Sequence, residues 1–252
     1  MLPLKWFEQS MSKVLVLRLA GPMQSWGSSS RFTRRSTEAF PTKSALVGLL
    51  AAAQGRRRVD PIEDLAQLRV AVRVDQPGQL LRDFHTAHRG EVSMPLSDRF
   101  YWADAAFGAF IEGPDELIEA LAQAIVRPVF PLYLGRRACP PTMPLRLAVH
   151  DGAAWDALQT TPWLAAKFYQ RKQRHESRVS LRVVADQGII PAEVGAACGR
   201  TVQDVPVSFD SQRRCYSLRT VEETRIEVEN PEFVPVKPQS IPGLSHDPME
   251  VL

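Results

Sequence analysis

Lys13-Val14-Leu15-Val16-Leu17-Arg18-Leu19, running into Ala20-Gly21-Pro22, is the stretch from which the fold can be read. Its β-branched and alternating character predicts a strand, and Gly21-Pro22 ends it. A polar loop follows to Phe40. Pro41-Thr42-Lys43-Ser44 then opens a run in which Leu46, Leu49, Leu50 and Ala53 recur at helical spacing, closed by Gly55. The order is strand, long loop, helix. Upstream, Met1 to Ser10 carry no pattern continuous with the strand, so Met11 reads as the start of the folded chain.

Working outward, a short helical turn over Ile62 to Leu68 precedes a second strand, Val70 to Val74, and Asp83-Phe84-His85-Thr86 reads as a third. Phe100 to Ile111 is strand-like, long and rich in aromatic residues. Pro114 to Val126 predicts a helix with Asp115, Glu116 and Glu119 near its positive end, Leu117, Leu121 and Ile125 on one face, and Arg127 at its negative end. A strand over Val129 to Leu134 would close a β-α-β-β-α-β order, the ferredoxin-like or RRM-like topology.

Beyond Gly135 the pattern predicts a strand near Leu145 to Val149, a helix around Ala153 to Tyr169 interrupted by Pro162, and strand near Val179 to Val184. Between Arg213 and Glu229 it predicts two strands, because the alternation changes phase at Val221. Pro231, Pro235, Pro238, Pro242 and Pro248 deny the tail a regular element. The expected class is α+β: a ferredoxin-like N-terminal domain over 12–135, a smaller β-rich part over 136–229, and an extended Pro-rich tail over 230–252. Polar, charged and proline residues between Arg82 and Trp102 predict a projecting β-hairpin.

Composition narrows the function classes. Hydrophobic residues make up 44% of the 252, enough for a buried core. No stretch approaches the roughly 20 apolar residues of a membrane span. Cys139, Cys198 and Cys215 are odd in number and far apart, which argues against a disulfide framework or a zinc knuckle and for a reducing cytoplasmic home. The formal charge of +3 is weak for a protein whose whole surface binds nucleic acid, so a polyanion site must be local.

The candidate site residues follow from that. Gln24, Ser25 and Trp26 stand just after the first strand, and the loop continues through Arg31, Arg34 and Arg35. Arginine forks suit phosphates and an indole face suits a stacked base, so this is a candidate single-strand RNA surface; core packing of Trp26 is the bland alternative. Thr42, Lys43 and Ser44 put two hydroxyls and an ammonium at a helix start, where a phosphate fits and an ordinary cap fits equally. Arg136, Arg137 and Arg214 belong to further basic clusters beside element ends. His85 and His88, with Arg89, are the one close histidine pair; Asp83 alone does not complete a zinc set, and no metal or other cofactor is expected. Ser25 and Ser44 lie outside any Gly-x-Ser-x-Gly elbow, which argues against a hydrolase, and no catalytic residue is assigned.

The run from Leu17 to Gly27 through Gly21-Pro22-Met23-Gln24-Ser25-Trp26, then Arg31, Phe40-Pro41-Thr42-Lys43-Ser44 and Gly48-Leu49-Leu50-Ala51-Ala52-Ala53, resembles the fifth family of CRISPR-associated proteins. Asp83-Phe84-His85-Thr86, the block from Arg127-Pro128-Val129 to Cys139-Pro140-Pro141, and Arg214-Cys215-Tyr216-Ser217-Leu218-Arg219 carry it further along the chain. The resemblance implies an RRM-like RAMP-superfamily subunit of a type I-E Cascade complex, without catalytic duty and with a β-hairpin thumb that brings His85, His88 and Arg89 to RNA. Its implied partners are the crRNA 5′ handle, the backbone filament subunit and the large subunit, with target DNA met through the complex and no membrane. Two other readings stay open: a metal-independent endoribonuclease that processes repeat RNA, and a protein scaffold that touches no RNA.

Overall fold

The computed structural model describes residues 12–27, 34–86, 88–89, 92–93, 96–195 and 197–235. The proposed start at Met11, Arg31 and the tail beyond 235 lie outside the described residues, as do the side chains of Arg34, His88 and Arg89. In chain order the elements are β1 (Ser12–Ala20), β2 (Met23–Gln24), β3 (Arg34–Arg35), α1 (Lys43–Ala53), α2 (Glu63–Ala66), β4 (Arg69–Gln76) and β5 (Gln79–His85). They continue with β6 (His88–Arg89), β7 (Val92–Ser93), β8 (Ser97–Ala103), β9 (Ala106–Pro114), α3 (Asp115–Val126), β10 (Arg146–Asp151) and α4 (Ala154–Thr160). The last are α5 (Lys167–Lys172), β11 (Arg178–Asp186), β12 (Ala197–Ser208) and β13 (Cys215–Glu229). Among the described residues no helix is long and apolar enough to cross a membrane.

β1 sits inside a seven-stranded sheet ordered β10-β1-β9-β4-β11-β13-β12, in which every neighbouring pair is antiparallel. Its alternation feeds two cores at once, because successive side chains of a strand point to opposite faces. Leu15, Leu17 and Leu19 pack beneath α1 and α3 with Leu46, Leu50, Phe107, Leu121 and Ile125. Val14 and Val16 face the other way, toward Phe110, Trp155, Leu158 and Trp163. A strand buried on both faces needs apolar residues at consecutive positions, which is what Val14 to Leu17 supply.

Three expected elements differ from the structure. Val129 to Leu134 is not a strand: Pro128 and Pro131 remove ladder donors, and the N–H groups of Val129 and Phe130 bond to the carbonyls of Ala53 and Ala52 at the end of α1. The edge position beside β1 is taken by β10, with Val14 opposite His150 and Val16 opposite Ala148. The single long strand over Phe100 to Ile111 is broken into β8 and β9 at Asp104, which adopts φ 53°. The two strands expected between Arg213 and Glu229 are one, β13, whose first half pairs with β12 and second half with β11; the changing neighbour accounts for the changing alternation.

The boundary at 135/136 runs through this sheet, since β11 pairs directly with β4 from Arg182 opposite Val74 to Ala185 opposite Ala71. A buried ion pair fastens the second core. Arg73 and Asp75, both fully buried, meet at 2.8 Å, and Arg73 also donates to the carbonyls of Leu158 and Thr161 at 2.8 Å and of Pro162 at 2.7 Å. Leu164 N–H donates to Asp75 Oδ1 at 2.8 Å. Burial pushes the Asp75 carboxyl up, while Arg73 and the N–H groups of Leu164 and Gly108 hold it down. These bonds tie the α4–α5 connection across a sheet face whose strands come from both halves of the chain.

Candidate nucleic-acid interface

β5 and β8 leave the large sheet as an antiparallel ribbon, from Gln79 opposite Ala103 to His85 opposite Ser97, with the short β6–β7 pair beyond them. Gly78, at φ +71°, allows the entry turn: a Cβ there would lie 2.5 Å from the Ala103 carbonyl oxygen. On the other side of β8, β2 joins the base of the ribbon and β3 pairs further out, opposite Asp98 and Arg99. The ribbon exposes Leu80, Phe84 and Leu96, more apolar surface than its polar composition suggested.

A second loop docks onto that base. Gly135, at φ +84°, lies so close to Ser25 that a Cβ would reach 1.7 Å from its carbonyl oxygen, so only glycine fits. Ser25 N–H donates to the Leu134 carbonyl at 3.1 Å and Leu134 N–H to the Cys139 carbonyl at 2.7 Å. Arg136 then reaches across: its guanidinium donates to the Arg35 carbonyl at 2.9 Å and the Phe100 carbonyl at 3.2 Å, and lies 4.6 Å from the centre of the Tyr101 ring. Ser25 Oγ donates to the same Phe100 carbonyl at 3.1 Å. The side chains of Arg35 and Arg137 are exposed here, and neither has an acidic partner among the described residues. Arg99, beside them on β8, keeps its Nε buried without a hydrogen-bond partner among the described residues.

The structure therefore brings Gln24, Ser25, Trp26, Arg35 and Arg136 together, but several in roles other than those expected. Trp26 is fully buried, edge-on to Phe107 at 6.4 Å, so the expected stacking face for a base is corrected to a core contact. Gln24 is also fully buried and donates to the carbonyls of Leu19 and Ala105 at 3.1 and 2.7 Å, pinning the turn after β1. Ser25 is spent on the ribbon base.

The expected phosphate seat at the start of α1 is likewise filled from within. Asp204 accepts from Lys43 N–H at 2.8 Å, and Lys43 Nζ donates to Asp186 at 3.0 Å. Thr42 is the N-cap, accepting from Ala45 N–H, and its hydroxyl lies 3.2 Å from that of Ser44. All three residues are buried, and Arg219 bonds both Asp186 and Asp204, closing a network of two cations and two anions. A helix start favours negative charge, and here β11 and β12 supply it. Asp204 was missed in the sequence because its strand, β12, shows no clear alternation; its pairing with Lys43 spans 161 positions.

Of the remaining candidates, His85 is half-exposed on the ribbon with Nε2 2.6 Å from Asp83. Arg214 stands exposed in the β12–β13 turn, whose Phe209 packs near Gly48 of α1, apart from the ribbon base. Among the described residues no group of three or more His, Cys, Asp or Glu converges as a metal site would require.

The antiparallel sheet with α1 and α3 on one face and a projecting ribbon is a fold that superposes on CRISPR-associated proteins of solved structure. The pattern of the family described as CRISPR-associated protein (Cas_Cas5) matches residues 14–222, and the chain belongs to that family. It is 37% identical over 159 residues, 54% of this chain and 71% of the relative, to "CRISPR system Cascade subunit CasD" of Escherichia coli (strain K12). A chain of a "CRISPR RNA-guided surveillance complex" superposes with TM-score 0.69 and 31% identity, covering 89% of this chain and 95% of that one. A "Crystal structure of Cas protein" superposes with TM-score 0.63 and 35% identity over 89% and 99%.

Proposed function

We propose that this chain is the subunit of a Cascade-type surveillance complex that holds the 5′ handle of the crRNA and caps the backbone filament. The carrying observation is the likeness to a Cascade subunit over most of that subunit's length, joined to a ribbon with exposed cations at its base. Four strands ordered β10-β1-β9-β4, crossed by α1 and α3, follow the β-α-β-β-α-β connectivity of an RRM-like unit, the scaffold on which a single strand of RNA is commonly held. The ribbon of 79–103 serves as the thumb, with His85, His88 and Arg89 toward the RNA. Arg35, Arg136, Arg137 and Arg214 then contribute phosphate contacts, with Arg31 and Arg34. Backbone and large subunits are its protein partners, and target DNA is met through the complex, where guide pairing supplies sequence specificity.

In this reading the chain is not a nuclease. Asp83 and His85 are one close acid–imidazole pair, but they lie exposed on the ribbon, and metal-free cleavage needs a base and an acid on opposite sides of the reacting phosphate. Incubating the pure protein with labelled repeat RNA in chelator tests this directly. Retarded, intact RNA is expected. A defined product that disappears in His85→Ala would make the protein a processing enzyme, and neither retardation nor cleavage would make it a scaffold.

A further inference from the structure

β4 and β11 are neighbours only from Arg182 opposite Val74 onward; before that point the two strands part. Trp163 is the wedge. Its indole N–H donates to the Asp75 carbonyl at 2.8 Å, and Ala166 N–H donates to Gln76 Oε1 at 3.0 Å, so the end of β4 is held by the α4–α5 connection instead of by β11. Val179 to Leu181 pair with β13 on one side, and on the other have no strand partner among the described residues. The gap is a cleft of about 310 Å³. Trp102 from the ribbon base, Trp163 and Tyr169 wall it, and Arg182 and Arg225 line it, Arg182 already held by the Glu223 carboxylate at 2.7 and 3.0 Å.

We propose that this cleft receives one unstacked nucleobase of a bound single strand, a reading that rests on the RNA-holding role above. The chemistry is complete for that occupant. Trp102 and Tyr169 offer ring surface, with Tyr169 set edge-on to Trp163 at 6.0 Å. The unpaired margin of Val179 to Leu181 offers main-chain donors and acceptors to the edge of a base. Arg225 is exposed and, among the described residues, its side chain donates to the Ser180 carbonyl at 3.3 Å, leaving donors for the attached phosphate. An extended peptide would use the same margin, but three residues are short for strand addition, and the Arg225 guanidinium beside aromatic walls favours a nucleotide.

The test is binding of single-stranded repeat RNA to the full chain, with each nucleotide replaced in turn by an abasic one. The cleft predicts one position at which loss of the base weakens binding about tenfold, in the range base–aromatic stacking gives. That penalty should vanish in Tyr169→Ala and shrink in Arg225→Ala, an exposed position that leaves the fold intact. If RNA binds but no single position carries a penalty, or the penalty persists in both variants, the cleft is not a base site and the RNA-holding role stands. If RNA does not bind at all, both readings fall. Undiminished RNA binding by the variants, with loss of protein partners from the assembled complex, would assign the cleft to a peptide.

Discussion

Individual residues in this protein are judged by what already holds them. Arg137 and Lys43 look alike in the sequence, yet Arg137 is exposed at the ribbon base whereas Lys43 is buried against Asp186. Arg137→Ala should weaken RNA binding and reduce the slope of log affinity against log salt by about one phosphate contact. Lys43→Ala should instead lower the midpoint of urea denaturation, because it leaves Asp186 with one cation fewer. An unchanged midpoint in Lys43→Ala would show that the network with Arg219 and Asp204 tolerates the loss. Asp75→Ala is the harsher change: it strands a fully buried guanidinium and should cost about 3–5 kcal/mol in chemical denaturation. A loss below about 1 kcal/mol would mean that the carbonyls of Leu158, Thr161 and Pro162 suffice to hold Arg73.

At the scale of elements, the ribbon of β5 and β8 is separable from the core in a way that no strand of the large sheet is. From Leu80 to Phe100 its described side chains are half-buried or exposed, whereas β9 is buried along nearly its whole length. Replacing 86–96 with a two-residue Asn-Gly turn, which suits a two-stranded hairpin, should leave thermal stability unchanged and impair guide retention in the assembled complex. Full retention of the guide by the shortened protein would remove the thumb role. The docking loop behaves oppositely. Because Gly135 lies against the Ser25 backbone, any side chain there would push Arg136 away from Arg35 and Phe100.

The whole molecule is organised by one sheet that passes through both halves of the chain. β10 borders β1, and β11 borders β4, so residues 12–135 alone would hold only three strands of the sheet, β1-β9-β4, with an edge exposed at each side, and would lose the cover of α4. Unfolding in urea, followed by tryptophan fluorescence and by circular dichroism, should therefore give one coincident transition for the full chain. Two separated transitions would show that the halves are independent domains in solution.

The local pattern determined β1, β4, α1 and α3 and most of β11, because amphipathic or doubly buried periodicity is written in neighbouring residues. The same pattern marked the ribbon by its interruption of two strand-like runs, and the basic residues of the docking loop by their clustering. What only the tertiary structure decided is which charged and polar groups remain available. Trp26 and Lys43 carry the same side chains in either role, and nothing near them in sequence reveals Phe107, Asp186 or Asp204. The split between β4 and β11 was invisible for the same reason: Trp163 opens it by bonding a carbonyl 88 positions away, and such pairings are set by the fold's long-range closure and not by any local propensity.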